Sequence, residues 1–123
     1  MAITLNATLR NARANAIVTE AGATAKLTVY TAAYAAVLYT STCAATLGTV
    51  ATGVLTLNAV GNATATGAGT AAIARLFKTD GTTMVIEGLT VGTSGTNIVI
   101  TNATIAVNDV VTTSSGTITE GNP

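Results

Sequence analysis

The chain contains no histidine, no tryptophan and a single cysteine, and only 8% of its residues are charged and 3% aromatic. Each shortage excludes something. Without histidine no side chain has an ordinary pKa near neutrality, so Ser-His and Cys-His catalytic pairs and His-ligated metals are ruled out. One cysteine cannot make an intramolecular disulfide, and with no histidine to activate it Cys43 is expected to be a small buried hydrophobe. Five basic residues balance five acidic ones. The basic residues are not clustered, so nothing draws phosphates and nucleic acid is not expected as a partner. No run approaches the roughly 20 apolar residues of a membrane span, and "MAITLNATLR" lacks the basic start and apolar block of a secretory signal. A membrane partner is therefore not expected, and synthesis in the cytoplasm is. The triplets "NAT" at Asn6, Asn62 and Asn102 match the glycosylation acceptor pattern, but without such a signal they reflect a bias toward Asn, Ala and Thr.

The acidic side chains point the same way. Glu20, Asp80, Glu87, Asp109 and Glu120 are spread one per segment. Asp80 and Asp109 are explained by turns; an Asp and a Glu could still meet in space, but neither a glycosidase pair nor a calcium site is expected. "GAGTAA", Gly67 to Ala72, superficially resembles a phosphate cradle, but it lacks the lysine and leads into a strand rather than a helix. Tyr30, Tyr34, Tyr39 and Phe77 have no basic companions in register and make no platform for bases. No catalytic, cofactor-binding or metal-binding residue is expected, and the chain reads as a non-enzyme.

What remains is abundant. Hydrophobic residues make up 49% of 123 residues and 12.1 kDa, mostly Ala, Val, Leu and Ile, so the core is thin. Roughly a fifth of the chain is Thr, which suits a half-buried pleated surface and costs something in a helix. The length fits one domain spanning 1–123. A soluble domain usually carries about a quarter charged residues, so this surface must be covered largely by Thr, Ser, Asn and Ala, as in a molecule packed against neighbours.

The first segment, 1–22, reads as a helix or arm: Leu5, Leu9, Ala12 and Ala16 recur at helical spacing as one apolar stripe, with Arg10 and Arg13 at its edges. Thr4 is placed to cap its start and Gly22 to end it. After Gly22 the period changes to two. "KLTVYT" sets Leu27 and Val29 against Lys26, Thr28 and Tyr30; a run follows from Val37 to Cys43; "GVLTLNA" sets Leu55 and Leu57 against Val54, Thr56 and Asn58. The Gly61–Thr70 stretch reads as a flexible connection. Ile98 and Ile100 mark a short strand, and the last strand follows a turn at Asn108 and Asp109, with Gly116 as a kink. About seven short strands after one helix predict a mainly β chain: an antiparallel β-sandwich or barrel, Ig-like or jelly-roll-like, over 23–119, with a tail at 120–123.

"LFKTDGTTMVIEG", Leu76 to Gly88, is the most sharply marked element. Asp80 and Gly81 tolerate the positive φ of a type I′ turn. With those two as the loop, Thr79 pairs with Thr82, Phe77 with Met84 and Arg75 with Ile86. Phe77, Met84, Ile86 and Ile73 then share one face, and Leu76, Val85, Ala74 and Glu87 the other. Both faces are largely apolar, so both are expected to be covered, one by the core and the other by the helix or a second subunit. A dimer or trimer, or poor solubility, follows.

The order "LRNARANAI", "LTVYT", "GVLTLNAV", "ATGAGTA", "FKTDGTTMVIEG", "VGTSG", "NIVI" and "SSGTITEGN" resembles a family of small virion structural proteins of tailed bacteriophages, over nearly the whole chain. The resemblance implies a head decoration or cement protein that sits over joints between major capsid subunits. Its partners would be the major capsid protein or other virion proteins, and its location the capsid surface of the virion. A tail-tip, adaptor or fibre-associated part is the alternative, with an Ig-like carbohydrate-binding or adhesion module after it. The residues expected at contacts are Leu5, Leu9 and Arg13 on the helix, Tyr34 and Tyr39, and Thr117 and Ile118 at the start of the 117–123 tail.

Overall fold

The structure is a computed structural model, and it describes residues 6–119. One helix, α1 (Ala7–Ala21), is followed by strands β1 (Lys26–Tyr30), β2 (Val37–Thr42), β3 (Gly48–Ala51), β4 (Val54–Leu57), β5 (Ala63–Thr64), β6 (Gly69–Thr70), β7 (Ile73–Phe77), β8 (Met84–Gly92), β9 (Ile98–Ile100), β10 (Thr104–Ile105), β11 (Val110–Val111) and β12 (Thr113–Thr119). A 3₁₀ turn, Ala32–Tyr34, lies between β1 and β2. The mainly β class with one N-terminal helix is as expected.

Eight strands form one sheet in the order β2-β1-β7-β8-β9-β12-β4-β3, and β10-β6 and β11-β5 form two small ladders. The sheet is mixed rather than wholly antiparallel, because β8 and β9 run parallel through Val91↔Ile98 and Gly92↔Val99. That short parallel pair joins two antiparallel halves. One is β2-β1-β7-β8; the other is β9-β12-β4-β3. The strand β12 is itself shared lengthwise, pairing with β9 over Thr113–Gly116 and with β4 over Thr117–Thr119. Gly116 sits at the changeover, where a Cβ would come within 2.6 Å of the Leu57 side chain. Leu27, Val29 and Leu76 from the first half and Leu55, Ile98 and Ile118 from the second belong to one buried cluster, so the sheet curls around a common core.

The helix begins where Asn6 caps it, its side chain accepting from the Leu9 N–H at 2.8 Å. The expected cap, Thr4, lies outside the described residues. The helix ends at Gly22, whose φ is 71° and whose N–H reaches the Val18 carbonyl. It packs against β3, β4 and β8. Its inward face differs from the expected one: Ala14 and Ala21 are buried and Ile17 and Val18 half-buried, whereas Leu9, Ala12 and Ala16 are exposed. The larger β-branched pair Ile17 and Val18 offers more area to bury than alanines do, so it selects the face.

Two hairpins stand out, β3-β4 at one edge of the sheet and β7-β8 within it. Between β3 and β4, Thr52 and Gly53 have φ of 52° and 75° and join Ala51 to Val54, the two-residue I′ geometry. Asn11 of the helix accepts the Gly53 N–H at 2.6 Å. The strand β3 is an addition to the elements expected from sequence. Between β7 and β8 the expected Phe77↔Met84 pairing is present, but the turn is larger. Lys78 N–H bonds the Thr83 carbonyl and Gly81 N–H bonds the Lys78 carbonyl. Gly81 alone of the Asp80–Gly81 pair has positive φ. Asp80 favours this four-residue loop because its Oδ1 takes the N–H groups of Thr82 and Thr83 and its Oδ2 the Thr83 hydroxyl. Those bonds, the Thr83 hydroxyl first, hold the carboxyl down at about 2.

Farther from the turn the register slips by one residue twice, at Leu76/Phe77 and at Ala74/Leu76. Ile86 therefore pairs with Leu76 instead of Arg75. The stretch from Gly61 to Thr70 is also more ordered than expected, since it contains β5 and β6 and the N–H groups of Thr66 and Gly67 reach the Leu38 carbonyl.

Candidate functional site

The bulges in β8 create a place where the scarce charged and aromatic groups meet. Gly88, with φ of 80°, is the extra residue opposite Arg75, and a bulged residue has its N–H turned out of the ladder. That N–H is donated to the Tyr34 hydroxyl at 2.9 Å. Tyr34 comes from the 3₁₀ turn, where it and Ala33 take φ of 58° and 57°, a left-handed conformation that non-glycine residues hold only when the surroundings enforce it. Here the enforcement is visible. The Arg75 guanidinium lies 3.8 Å from the centroid of the Tyr34 ring and 5.3 Å from that of Tyr30, and the two rings meet edge to face at 5.2 Å. Arg75 Nε also pairs with Glu87 Oε2 at 3.2 Å. A planar cation stacked on a phenol and held by a carboxylate is strongly oriented.

This cluster lies on the outer face of β1, β7 and β8, while Leu27, Val29, Ala74 and Leu76 on the opposite face are buried. The outer face of the hairpin is therefore covered in part by the 3₁₀ turn, while the helix, which touches β8 as well as β3 and β4, gives its buried residues to the core cluster. Around it Ile73 and Phe77 are half-buried, and Val37 and Met84 keep 47% and 49% of their surface in solvent. The remaining large exposed hydrophobics among the described residues are Leu9 on the helix and Val107 and Val110 around the Asn108–Asp109 turn. Beside that turn is a shallow open cavity of about 270 Å³, lined by Thr101, Asn102, Thr104, Ile105, Asp109, Val110 and Val111. Its two best polar groups are already engaged, Asn102 Oδ1 by the Thr104 N–H and Asp109 Oδ2 by the Ala106 N–H.

The residues expected at contacts fare unequally. Leu9 and Arg13 are exposed on the outer side of α1, and Leu5 lies outside the described residues. Tyr34 is half-buried in the stacked cluster. Tyr39 is a correction: it pairs with Val29, faces the core and is 1% exposed, so it offers nothing to a partner. Among the described residues its hydroxyl has no hydrogen-bond partner, nor does that of Ser41 two residues on, and burial pushes its pKa up to about 12. Thr117 and Ile118 are also corrected. They are ladder residues of β12, opposite Thr56 and Leu55, and Ile118 is in the core. The rest of the expected tail, 120–123, lies outside the described residues. Cys43 is buried as expected, and burial raises its thiol to about 11.

Sequence reasoning missed Arg75 as the partner of Tyr34 and Glu87 as the partner of Arg75. The signal available was the Glu87-Gly88 step in the middle of a strand pattern, because an interior glycine marks a bulge. Among the described residues no group of three or more His, Cys, Asp or Glu is arranged to hold a metal ion. No helix among them is long and apolar enough to cross a membrane. No family model matches the protein, and comparison with the curated proteins and with the solved structures finds no match.

Proposed function

We propose that the protein is a structural component of a bacteriophage virion, a capsid decoration or cement protein seated over junctions between major capsid subunits, acting through shape and surface and not through catalysis. The observation that carries this reading is the exterior: among the described residues Leu9, Val37, Met84, Val107 and Val110 stand in solvent on a surface otherwise dominated by threonine, alanine and other small residues. Exposed apolar residues on a surface with few charges overall suit contact with a neighbouring protein surface. The resemblance of the strand and turn segments to small virion proteins supplies the specific partner. A clamp of this kind is weak alone and strong in an array, because identical contacts repeated with the symmetry of a shell act together.

On this reading the contact surfaces are the outer side of α1, with Leu9 and Arg13, and the outer face of the β7-β8 hairpin, with Tyr34, Val37 and Met84. The two faces suit contacts in a dimer or trimer as well as on the shell.

The test is a copy count. Particles that carry the protein are purified, and its abundance relative to the major capsid protein is measured by quantitative mass spectrometry. The expected result is on the order of hundreds of copies, with shells that lack it bursting more readily. A handful of copies per particle would move the protein to the tail, and its absence from particles together with selective retention on a glycan array would overturn the virion reading.

A further inference from the structure

We propose that Asp80-Gly81 is a latent isomerisation site, kept shut in the folded protein by the bonds that Thr82 and Thr83 make to the Asp80 carboxylate. An Asp-Gly step is chemically fragile because glycine offers no side chain to hinder its backbone nitrogen. That nitrogen attacks the aspartate Cγ, forming a new C–N bond, and the bond from Cγ to one carboxyl oxygen breaks. The oxygen leaves as water with the amide proton and the acid proton. The cyclic imide then takes up water at either carbonyl. One opening restores aspartate, and the other leaves isoaspartate, with the backbone routed through the former side chain. Nothing is oxidised or reduced, and the only co-reactant is water.

The turn opposes this reaction at both atoms that must meet. Both carboxylate oxygens of Asp80 are engaged by residues ahead of it: Oδ1 by the N–H groups of Thr82 and Thr83, each at 2.8 Å, and Oδ2 by the Thr83 hydroxyl. Cγ cannot turn toward the Gly81 nitrogen without breaking them. That nitrogen is fixed from the other side, its N–H donated to the Lys78 carbonyl at 2.9 Å. The same bonds lower the carboxyl pKa from 3.8 to about 2, which makes the acid, a far better electrophile than the anion, rarer still. The two residues are exposed to water at the hairpin tip, so burial does not protect them; geometry does. Isomerisation would also be consequential here, since an added backbone atom in the loop breaks the closure of Lys78 on Thr83 and the pairing of Phe77 with Met84.

The experiment ages the full-length protein in warm near-neutral buffer, folded and in concentrated urea, and follows isoaspartate at this step by peptide mapping with fragmentation that distinguishes the two isomers at equal mass. The folded protein is expected to accumulate it many times more slowly than the unfolded one. Thr83→Val, folded by circular dichroism, loses the hydroxyl bond and is expected to isomerise about fivefold faster than the parent, while Thr83→Ser stays within about twofold of it. Equal rates for the folded and urea-unfolded parent would overturn the proposal without reference to any variant. So would a folded Thr83→Val protein that ages no faster than Thr83→Ser.

Discussion

Thr52 holds a conformation that its own side chain opposes. A β-branched residue with φ of 52° crowds its neighbouring carbonyl, and the I′ turn it shares with Gly53 prefers Asn or Gly at that position. The strain is tolerated because β3 and β4 pair along their whole lengths and Asn11 fixes the Gly53 N–H. Thr52→Asn should therefore stabilise the fold by about 1 kcal/mol, read as a higher urea midpoint with an unchanged slope. The same residue explains why β3 escapes sequence reading: "TVATGVLT" carries no Asn-Gly or Asp-Gly signal, and threonine is among the residues least expected at a left-handed turn position. Asp80-Gly81 shows the opposite case. It announces the hairpin and the Phe77↔Met84 pairing, yet of the carboxylate bonds that enlarge the loop two come from backbone N–H groups and only the third from a side chain, the Thr83 hydroxyl, so residue identity alone does not announce the larger loop.

At the scale of elements, the helix and the β8-β9 junction show what periodicity conveys and what it leaves out. In an alanine-rich helix several stripes are nearly equivalent, and Leu9, Ala12 and Ala16 form a regular one that faces solvent. The buried stripe runs through Ala14, Ile17, Val18 and Ala21. A paired substitution tests the assignment: Ala14→Leu should cost about 2 kcal/mol by overpacking a site with no free surface, whereas Ala16→Leu should change stability by less than about 0.5 kcal/mol. The reverse ranking in chemical denaturation would mean the helix is seated on its other side. The parallel pair β8-β9 is short and is braced by Asn97. Asn97 Oδ1 accepts from the backbone and hydroxyl of Thr90, and its Nδ2 donates to the Thr117 carbonyl, so one side chain ties β8 to β12 across the start of β9. Asn97→Ala should lose about 2 to 3 kcal/mol, more than removal of an exposed asparagine such as Asn58. The strands on either side are legible from Ile98, Ile100 and the alternation near the C-terminus. Their parallel pairing is not, because sequence alternation carries no direction.

For the whole molecule, the lack of histidine has a thermodynamic consequence. With no histidine, no side chain has an ordinary pKa between the carboxylate and thiol ranges, so stability should be nearly level across neutral pH. Above it the sign is fixed by burial. The folded pKa values of Cys43 and Tyr39 are raised from 9.0 to about 11 and from 10.0 to about 12. The folded protein therefore binds more protons than the unfolded one over those intervals, and stability falls as pH rises from about 9 to about 12. Each group accounts for roughly 2 to 3 kcal/mol when ionised. Cys43→Ala should remove the lower part of that alkaline slope and Tyr39→Phe the upper part, measured as urea midpoints against pH. A slope unchanged in both variants would assign alkaline sensitivity to other groups.

The pairing of β12 with both β9 and β4 has a consequence for how the protein is made. The hairpin β3-β4 joins the rest of the large sheet only through β12, and β12 leaves the ribosome after both of the strands it pairs with. Until residues 113–119 emerge, a nascent polypeptide holds two unconnected pieces of sheet, with the flank of β4 that β12 will occupy still open. Such a flank invites pairing between copies growing side by side on one messenger.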